Sequence, residues 1–314
     1  MSERSANDVT VIVVTYNHED FVAQTLSGIA EQEHIARVIL CDDASPDGSA
    51  DVMRSWARGA SIPTTEMFAV TNRGLTATLN NALALVDTPY YTYISGDDLM
   101  FPGRIAAQRE CLEARPDLSF VYCDARRIDE YGNRLETDFL AMDLGDREPV
   151  DDFESLLRGN WIPAVSVMLR TEAVRSVGGY DEDLFFEDYD LWLRLATRGP
   201  FARVDGALVG FRELPTSLGH TRFRDDDLEW HRAKVQIRQK HFGRDGRHDR
   251  IIASIIRPWL LTIAERGGST SELVSVWWRV ALADRTLLSL GYAASATLRL
   301  IGPVTRARGR GRRG

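Results

Sequence analysis

Asp97 and Asp98 stand side by side in Ser95-Gly96-Asp97-Asp98-Leu99, directly after the apolar run Tyr90-Tyr91-Thr92-Tyr93-Ile94. Its β-branched and aromatic residues, entered from Pro89 and left through Gly96, predict a buried strand. Carboxylates at the carboxyl end of such a strand lie on the edge where α/β folds bind ligands. Two adjacent carboxylates repel, and a bound divalent cation keeps both ionised. The chemistry open to this pair is metal-assisted handling of a phosphorylated substrate.

Three further segments follow apolar runs in the same way. Thr15-Tyr16-Asn17 comes after Val9–Val14, where a polar turn capping a sheet is the simplest reading of the segment alone. Asp42-Asp43-Ala44-Ser45-Pro46-Asp47-Gly48-Ser49 follows a second run; its turn chemistry is strong and Ser49 suits a helix cap, while Asp43 could accept an N–H from a ligand. In Thr71-Asn72-Arg73-Gly74 the arginine either faces solvent or meets a phosphate. Separately each segment is weak. Together they put polar or charged residues after four successive strands, on one sheet edge, as in a nucleotide site built from loops.

A later acidic cluster, Phe185-Phe186-Glu187-Asp188-Tyr189-Asp190, opens an amphipathic segment containing Leu191, Leu193 and Leu195. Asp188 could serve only as a helix cap, with Glu187 and Asp190 favouring the helix dipole. Alternatively, the apolar surroundings raise a carboxylate towards the range useful for a general base.

These residues need a scaffold, and the apolar pattern supplies one. Strands are predicted at Val9–Val14, Arg37–Cys41, Met67–Val70 and Tyr90–Ile94, with helices at Asp20–Gln32 and Leu75–Val86 between them. Such alternation specifies a parallel α/β sheet flanked by helices. Further on come a helix at Gly103–Ala114, strands at Ser119–Cys123 and Val165–Leu169, a helix at Asp188–Thr197 and a mixed strand at Phe201–Val209. From about Asp225 the pattern is helical. A composition shift near Pro215 divides residues 1–215, expected to be catalytic, from a helical extension over 216–314.

With 314 residues, the chain can bury a sizeable core. A formal net charge of −8 argues against general nucleic-acid binding, although the last residues, from Arg306 on, hold five arginines and no acid. Cys41, Cys111 and Cys123 lack metal-ligand spacing and read as reduced thiols. No N-terminal apolar leader and no run of about 18 apolar residues is found. A cytoplasmic protein is the expectation.

Val11-Ile12-Val13-Val14-Thr15-Tyr16-Asn17, Leu40 to Gly48, Asn72-Arg73-Gly74, Ser95-Gly96-Asp97-Asp98 and Glu187-Asp188 fall in the order and approximate spacing of family-2 glycosyltransferases with the GT-A fold, which this chain resembles over roughly residues 8–215. The resemblance implies an inverting transfer of a sugar from a nucleotide-diphosphate donor, a UDP- or dTDP-sugar, to an acceptor hydroxyl of a glycan or lipid-linked glycan. It implies nucleotide contacts from Thr15, Tyr16, Asn17, Asp43, Arg73 and Asp97, with Tyr16 against the base and Asp43 accepting its N–H. It implies Mn2+ or Mg2+ held by Asp97 and Asp98, Asp98 being preferred for direct contact. Asp188 matches the catalytic base, and Trp161 and Glu187 fall on the acceptor side. Many relatives carry a further aspartate where Ser95 stands, so here the cation rests on fewer carboxylates.

Two other readings compete. A sugar nucleotidyltransferase needs a glycine-rich N-terminal phosphate loop, and Thr15-Tyr16-Asn17-His18 has no glycine. A non-catalytic binding protein of the same fold would not need Asp188. His220 carries no assignment. Ile251–Ala264 and Leu273–Leu300 are rich in Ile, Leu, Val and Trp, and the arginine-rich end follows. The segment 273–313 suits membrane-surface association, peripheral to the inner face of the cell membrane. Covering the catalytic domain or forming a homodimer interface is the alternative for these helices.

Overall fold

The computed structural model describes residues 7–145, 147–217, 227–266, 271–285 and 289–297. The chain forms two compact units, Met1–Leu214 and Pro215–Gly314.

In the first unit the order is β1 (Val9–Thr15), α1 (Val22–Ala30), β2 (Ile35–Asp42), α2 (Ser49–Gly59), β3 (Thr64–Phe68), α3 (Leu75–Leu85) and β4 (Tyr90–Ser95). Next come β5 (Leu99–Met100), α4 (Arg104–Ala114), β6 (Phe120–Ile128), α5 (Phe139–Leu144) and α6 (Phe153–Arg158). The unit ends with β7 (Met168–Arg170), α7 (Thr171–Ser176), α8 (Asp188–Ala196) and β8 (Phe201–Arg212). One sheet holds all eight strands in the order β3-β2-β1-β4-β7-β6-β8-β5. The first four are mutually parallel, as the strand–helix alternation predicts. Beyond β4 the sheet is mixed, because β7 runs antiparallel to both β4 and β6.

β1 is Val-Thr-Val-Ile-Val-Val-Thr, buried at every position. A strand covered on both faces must be apolar throughout rather than alternating. Val9, Val11 and Val13 join a core with Val22, Leu26 and Ile29 of α1 and with Met53 of α2. β1 lies between β2 and β4, so the chain departs from it in both directions across the sheet. The strand order therefore reverses between β1 and β4, the position beyond whose carboxyl ends such sheets bind ligands.

Several boundaries differ from the sequence pattern. The third strand begins at Thr64 and ends at Phe68 rather than spanning Met67–Val70, and Val70 is exposed. Its register is set by pairing with Val38–Asp42 of β2, which its own short apolar run does not encode. Within Val165–Leu169, Ala164–Ser166 is a 3-10 turn and only Met168–Arg170 pairs. The strand starting near Ser119 continues to Ile128 through polar residues because β8 pairs along it. α1 lies so close to β5 that a Cβ on Gly28 would stand 2.6 Å from the Met100 carbonyl oxygen.

The second unit contains α9 (Leu228–Gln239), α10 (Gly246–Glu265) and α11 (Ser271–Asp284). Ile252, Ile256, Leu260 and Ile263 of α10 are buried, as are Val276, Trp277 and Val280 of α11. The apolar-rich segment Leu273–Leu300 is not one unbroken helix. α11 stops at Asp284, Arg285 takes a φ of 54°, and helix resumes over residues 289–297. Trp277 stacks on Tyr292 at 5.1 Å, so one of the paired tryptophans is core and only Trp278 is exposed. No described helix is long and apolar enough to cross a membrane. His220 and, within the segment 273–313, residues 286–288 and 298–313 lie outside the described residues.

Candidate functional site

The loops after β1 and β2 are stitched together by their own polar residues. Ser45 Oγ accepts from the Asn17 amide at 3.0 Å and Ser49 Oγ from the His18 amide at 2.9 Å. Asp47 accepts from the Glu19 amide at 3.0 Å, and Glu19 in return accepts from the Gly48 amide at 2.8 Å. Asn17 and Ala44 are held at positive φ, 65° and 61°, within this clasp. Left-handed backbone costs a non-glycine residue about 1 kcal/mol, and such strain persists where surrounding bonds over-determine the loop. Between these bonded residues Tyr16 is 47% exposed.

Asp43 joins the third loop to these two. Its amide donates to the Thr15 carbonyl at 3.0 Å. Its Oδ1 accepts from the Arg73 amide at 2.9 Å and its Oδ2 from the Gly74 amide at 2.8 Å. The carboxylate thus fixes the entry to α3, and each oxygen keeps a second lone pair. The Arg73 side chain is exposed, and its guanidinium makes no hydrogen bond or ion pair among the described residues.

The fourth loop carries the acidic pair. The Gly96 amide donates to the Val14 carbonyl at 2.9 Å, and Thr25 Oγ1 donates to the carbonyls of Gly96 and Asp98 at 2.9 and 2.7 Å. A Cβ on Gly96 would lie 2.7 Å from Thr15 Oγ1 and 3.1 Å from His18 Nδ1, so the first and fourth loops touch. The two aspartates then diverge. Asp97 Oδ2 stands 3.7 Å from His18 Nε2. Asp98 turns inward, its Oδ1 accepting the Arg212 amide at 2.8 Å, and burial and the Asp97 charge hold its carboxyl well above the usual range. The Arg212 guanidinium is buried beneath them, donating to the carbonyls of Asp97, Asp129 and Glu130 and to Gln24 Oε1 at 2.7 to 3.0 Å.

Asp188, half-buried at the start of α8, accepts from Asn160 Nδ2 at 2.9 Å. Burial pushes its carboxyl up to about 6. The neighbouring Glu187 is buried, and burial and the Asp188 charge push it up to about 8. Its Oε1 accepts from Tyr93 OH at 2.9 Å. Tyr93 belongs to β4, the strand that ends just before the acidic pair, so this bond ties Asp188 to the same part of the sheet. A second tie runs from α3, where Asn80 Nδ2 donates to the Tyr180 carbonyl and to Glu182. All four loops and the start of α8 are therefore bound to one another, directly or through β4 and α3.

Two expected acceptor-side residues face elsewhere. Trp161 is buried, and its indole N–H donates to Tyr122 OH, which donates to Asp151. Glu187 lies behind Asp188 rather than at a surface. Both placements follow from burial: a large ring and a protonated carboxyl are stable inside when their polar atoms are hydrogen-bonded. Sequence reasoning passed over His18, Tyr93 and Arg212. His18 had a signal, since it ends the run Thr15-Tyr16-Asn17-His18, whereas Arg212 had none.

Whether the rim fits a divalent cation can be judged from its donors. No group of three or more His, Cys, Asp or Glu side chains converges among the described residues. Two carboxylates with hard oxygens are present, and His18 Nε2 stands 3.7 Å from one of them. Magnesium-type sites use one or two carboxylates and complete the shell with water and substrate phosphates. The residues fit a cation shared with a phosphorylated ligand.

Comparisons with known proteins bear on the family and the fold. The family described as Glycosyl transferase family 2 matches residues 10–168. EpsE of Bacillus subtilis (strain 168), which carries a glycosyltransferase name, is 31% identical over 201 residues, covering 62% of this chain and 69% of that protein. The amylovoran biosynthesis glycosyltransferase AmsE of Erwinia amylovora is 25% identical over 75% of this chain and 88% of its own. The uncharacterized protein Rv1520 of Mycobacterium tuberculosis is 24% identical, and the chain spans 63% of its length. Among solved structures, Staphylococcus aureus TarS 1-349 in complex with UDP-GlcNAc superposes with a TM-score of 0.65 at 14% identity, over 92% of this chain and 88% of that one. The mannosyltransferase PcManGT of Pyrobaculum calidifontis, in complex with GDP-Man and Mn2+, gives 0.56 at 18% identity, over 98% and 90%. The fold is the GT-A-like α/β architecture that the sequence motifs imply.

Proposed function

Because the chain belongs to glycosyltransferase family 2, we propose that it transfers a sugar from a nucleoside diphosphate to an acceptor hydroxyl with inversion at the anomeric carbon. The acceptor is read as a growing cell-surface polysaccharide or its lipid-linked precursor, reached from the cytoplasmic side. Support for a nucleotide-sugar donor comes from the UDP-GlcNAc and GDP-Man complexes of the structural neighbours. The amylovoran name of one relative supports polysaccharide synthesis. Residues 1–215 are assigned the chemistry and 216–314 an accessory role.

In this reading the Tyr16 ring stacks on the base, and Asp43 offers its remaining lone pairs to the N–H of a uracil or thymine. Thr15 and Asn17 shape the pocket floor, and Arg73 reaches the diphosphate with a guanidinium no described residue occupies. A Mn2+ or Mg2+ ion, when bound, would offset the charge of the departing diphosphate. Asp97 and Asp98 would hold it, with Asp97 the more direct contact because Asp98 already accepts from the Arg212 amide.

The observation carrying the assignment is the placement of Asp188 at the start of α8, bonded to Asn160 and tied through Glu187 and Tyr93 to the strand that leads into the acidic pair. At neutral pH a carboxyl with a pKa of about 6 is ionised yet basic enough to take a hydroxyl proton. Glu187, raised to about 8, keeps its own proton there, so the pair avoids two adjacent buried charges. Asn160 Nδ2 donates to Asp188 Oδ2, and the Tyr189 amide also donates to the carboxylate, so the base is held in one orientation at the start of α8. As the acceptor oxygen attacks the anomeric carbon, Asp188 removes its proton and the bond to the diphosphate breaks on the opposite side.

Asp188→Asn tests this. Transfer from UDP- or dTDP-sugars should fall at least about a thousandfold, while stabilisation by UDP with Mn2+ persists. Full transfer by the variant would overturn the base assignment, and stabilisation by no nucleotide would overturn the donor reading.

A further inference from the structure

Charge is segregated along this chain to a degree its net value hides. Residues 1–214 contain 19 basic and 37 acidic residues, a formal −18, whereas residues 215–314 contain 19 basic and 9 acidic, a formal +10. Within the second unit an open cleft of about 540 Å³ gathers part of that positive charge. Arg250 of α10, Arg279 of α11 and Arg285 after it line the cleft together with Asp249 and Leu282.

Among the described residues no carboxylate pairs with these three guanidiniums. Those of Arg250 and Arg285 make no hydrogen bond or ion pair among the described residues, and Arg279 reaches only the Gln239 carbonyl at 3.4 Å. Asp249, the cleft's carboxylate, accepts the Gly243 amide through Oδ1 at 2.8 Å. Asp284, next to Arg285 in sequence, pairs with Arg257 at 3.1 Å instead. Arginines lining one cleft suit the oxygens of a phosphate group. Beside them the cleft is apolar: Leu282 is 71% exposed, and Trp278, one turn earlier on α11, is also exposed. An aliphatic and an aromatic side chain beside guanidiniums suit an amphiphile better than a free anion.

We propose that this cleft binds the phosphate headgroup of an anionic lipid, with Leu282 and Trp278 entering the apolar boundary beneath it. The second unit then rests on a membrane surface by a built site and not only by the arginines of the chain end. This goes beyond the assigned transfer reaction and does not depend on it.

Flotation of the full chain with vesicles tests the site without any activity measurement. Binding is expected to phosphatidylglycerol-containing vesicles and not to pure phosphatidylcholine. Each arginine near an anionic surface contributes roughly a factor of five, so changing Arg250, Arg279 and Arg285 together to Gln should lower the partition on the order of a hundredfold. The triple Lys variant, which keeps the charge, should bind within a few-fold of the parent. Leu282→Asp should weaken binding about tenfold. A variant with Gln at Arg306, Arg308, Arg310, Arg312 and Arg313 should retain most binding. An unaffected triple Gln variant overturns the proposal, as does equal loss in the Gln and Lys variants. Displacement of the vesicles by millimolar inorganic phosphate would also overturn it, by making the cleft a soluble-anion site.

Discussion

The Arg212 amide donates to Asp98 Oδ1 at 2.8 Å, while its own guanidinium donates to the Asp97 carbonyl at 2.7 Å. One residue of the last strand therefore holds both members of the acidic pair, one through its carboxylate and the other through its backbone. The guanidinium also lies over the Phe21 ring at 4.9 Å, which links the support to the loop after β1.

Arg212→Ala would leave three carbonyls and the Gln24 oxygen without a buried donor. Removing one partner from such a network costs about 3 kcal/mol or more. A lowered urea midpoint with an unchanged slope is the expected result, together with weaker Mn2+-dependent nucleotide stabilisation. Arg212→Lys should recover part of the stability, since a single ammonium cannot meet all four acceptors.

Transfer should depend on pH through Asp188. The carboxyl must be ionised to act as base, so the rate rises with pH through about 6 and is lost below it. Asn160 donates to the ionised form and thereby lowers the pKa, so Asn160→Ala raises it and moves the acid limb to higher pH. A pH profile of kcat checks this, and an unmoved limb would separate Asn160 from the base.

The clamp at Asp43 has its own signature. Asp43→Asn retains one acceptor oxygen where two amides, of Arg73 and Gly74, now bond. One N–H loses its partner, at about 1 to 2 kcal/mol, and the start of α3 loosens. Nucleotide affinity measured by calorimetry should fall about tenfold, with a smaller loss in thermal stability.

Two glycines distinguish site from scaffold. Gly28→Ala would drive a methyl against the Met100 backbone, which cannot rotate away, whereas Gly96→Ala meets the side chains of Thr15 and His18. Overpacking of this kind costs about 1 to 3 kcal/mol. Gly28→Ala should therefore lower the melting temperature more, and Gly96→Ala should disturb nucleotide and Mn2+ binding more, as it moves the loop carrying Asp97.

Features carried by local periodicity could be read before any coordinates. The buried valines of β1, the aromatic run of β4 and the helical spacing of α1 and α3 each carry their own periodicity, so the parallel half of the sheet could be written down from them. Because polar segments sit directly after those runs, the positions of Thr15, Tyr16, Asp43, Arg73 and Asp97 beyond the carboxyl ends of β1 to β4 were legible too, as was Asp188 at a helix start. Tertiary structure decided how these residues are held. Arg212 meets Asp98 across 114 residues and Tyr93 meets Glu187 across 94, separations at which no local pattern constrains the partner. It also turned Asp98 to the Arg212 amide and Asp97 towards His18, buried Trp161 against Tyr122, and divided Trp277 from Trp278. The physical reason is common to all of these: burial and hydrogen-bond satisfaction depend on what packs opposite a side chain, and that partner is chosen by the fold rather than by neighbours in the chain.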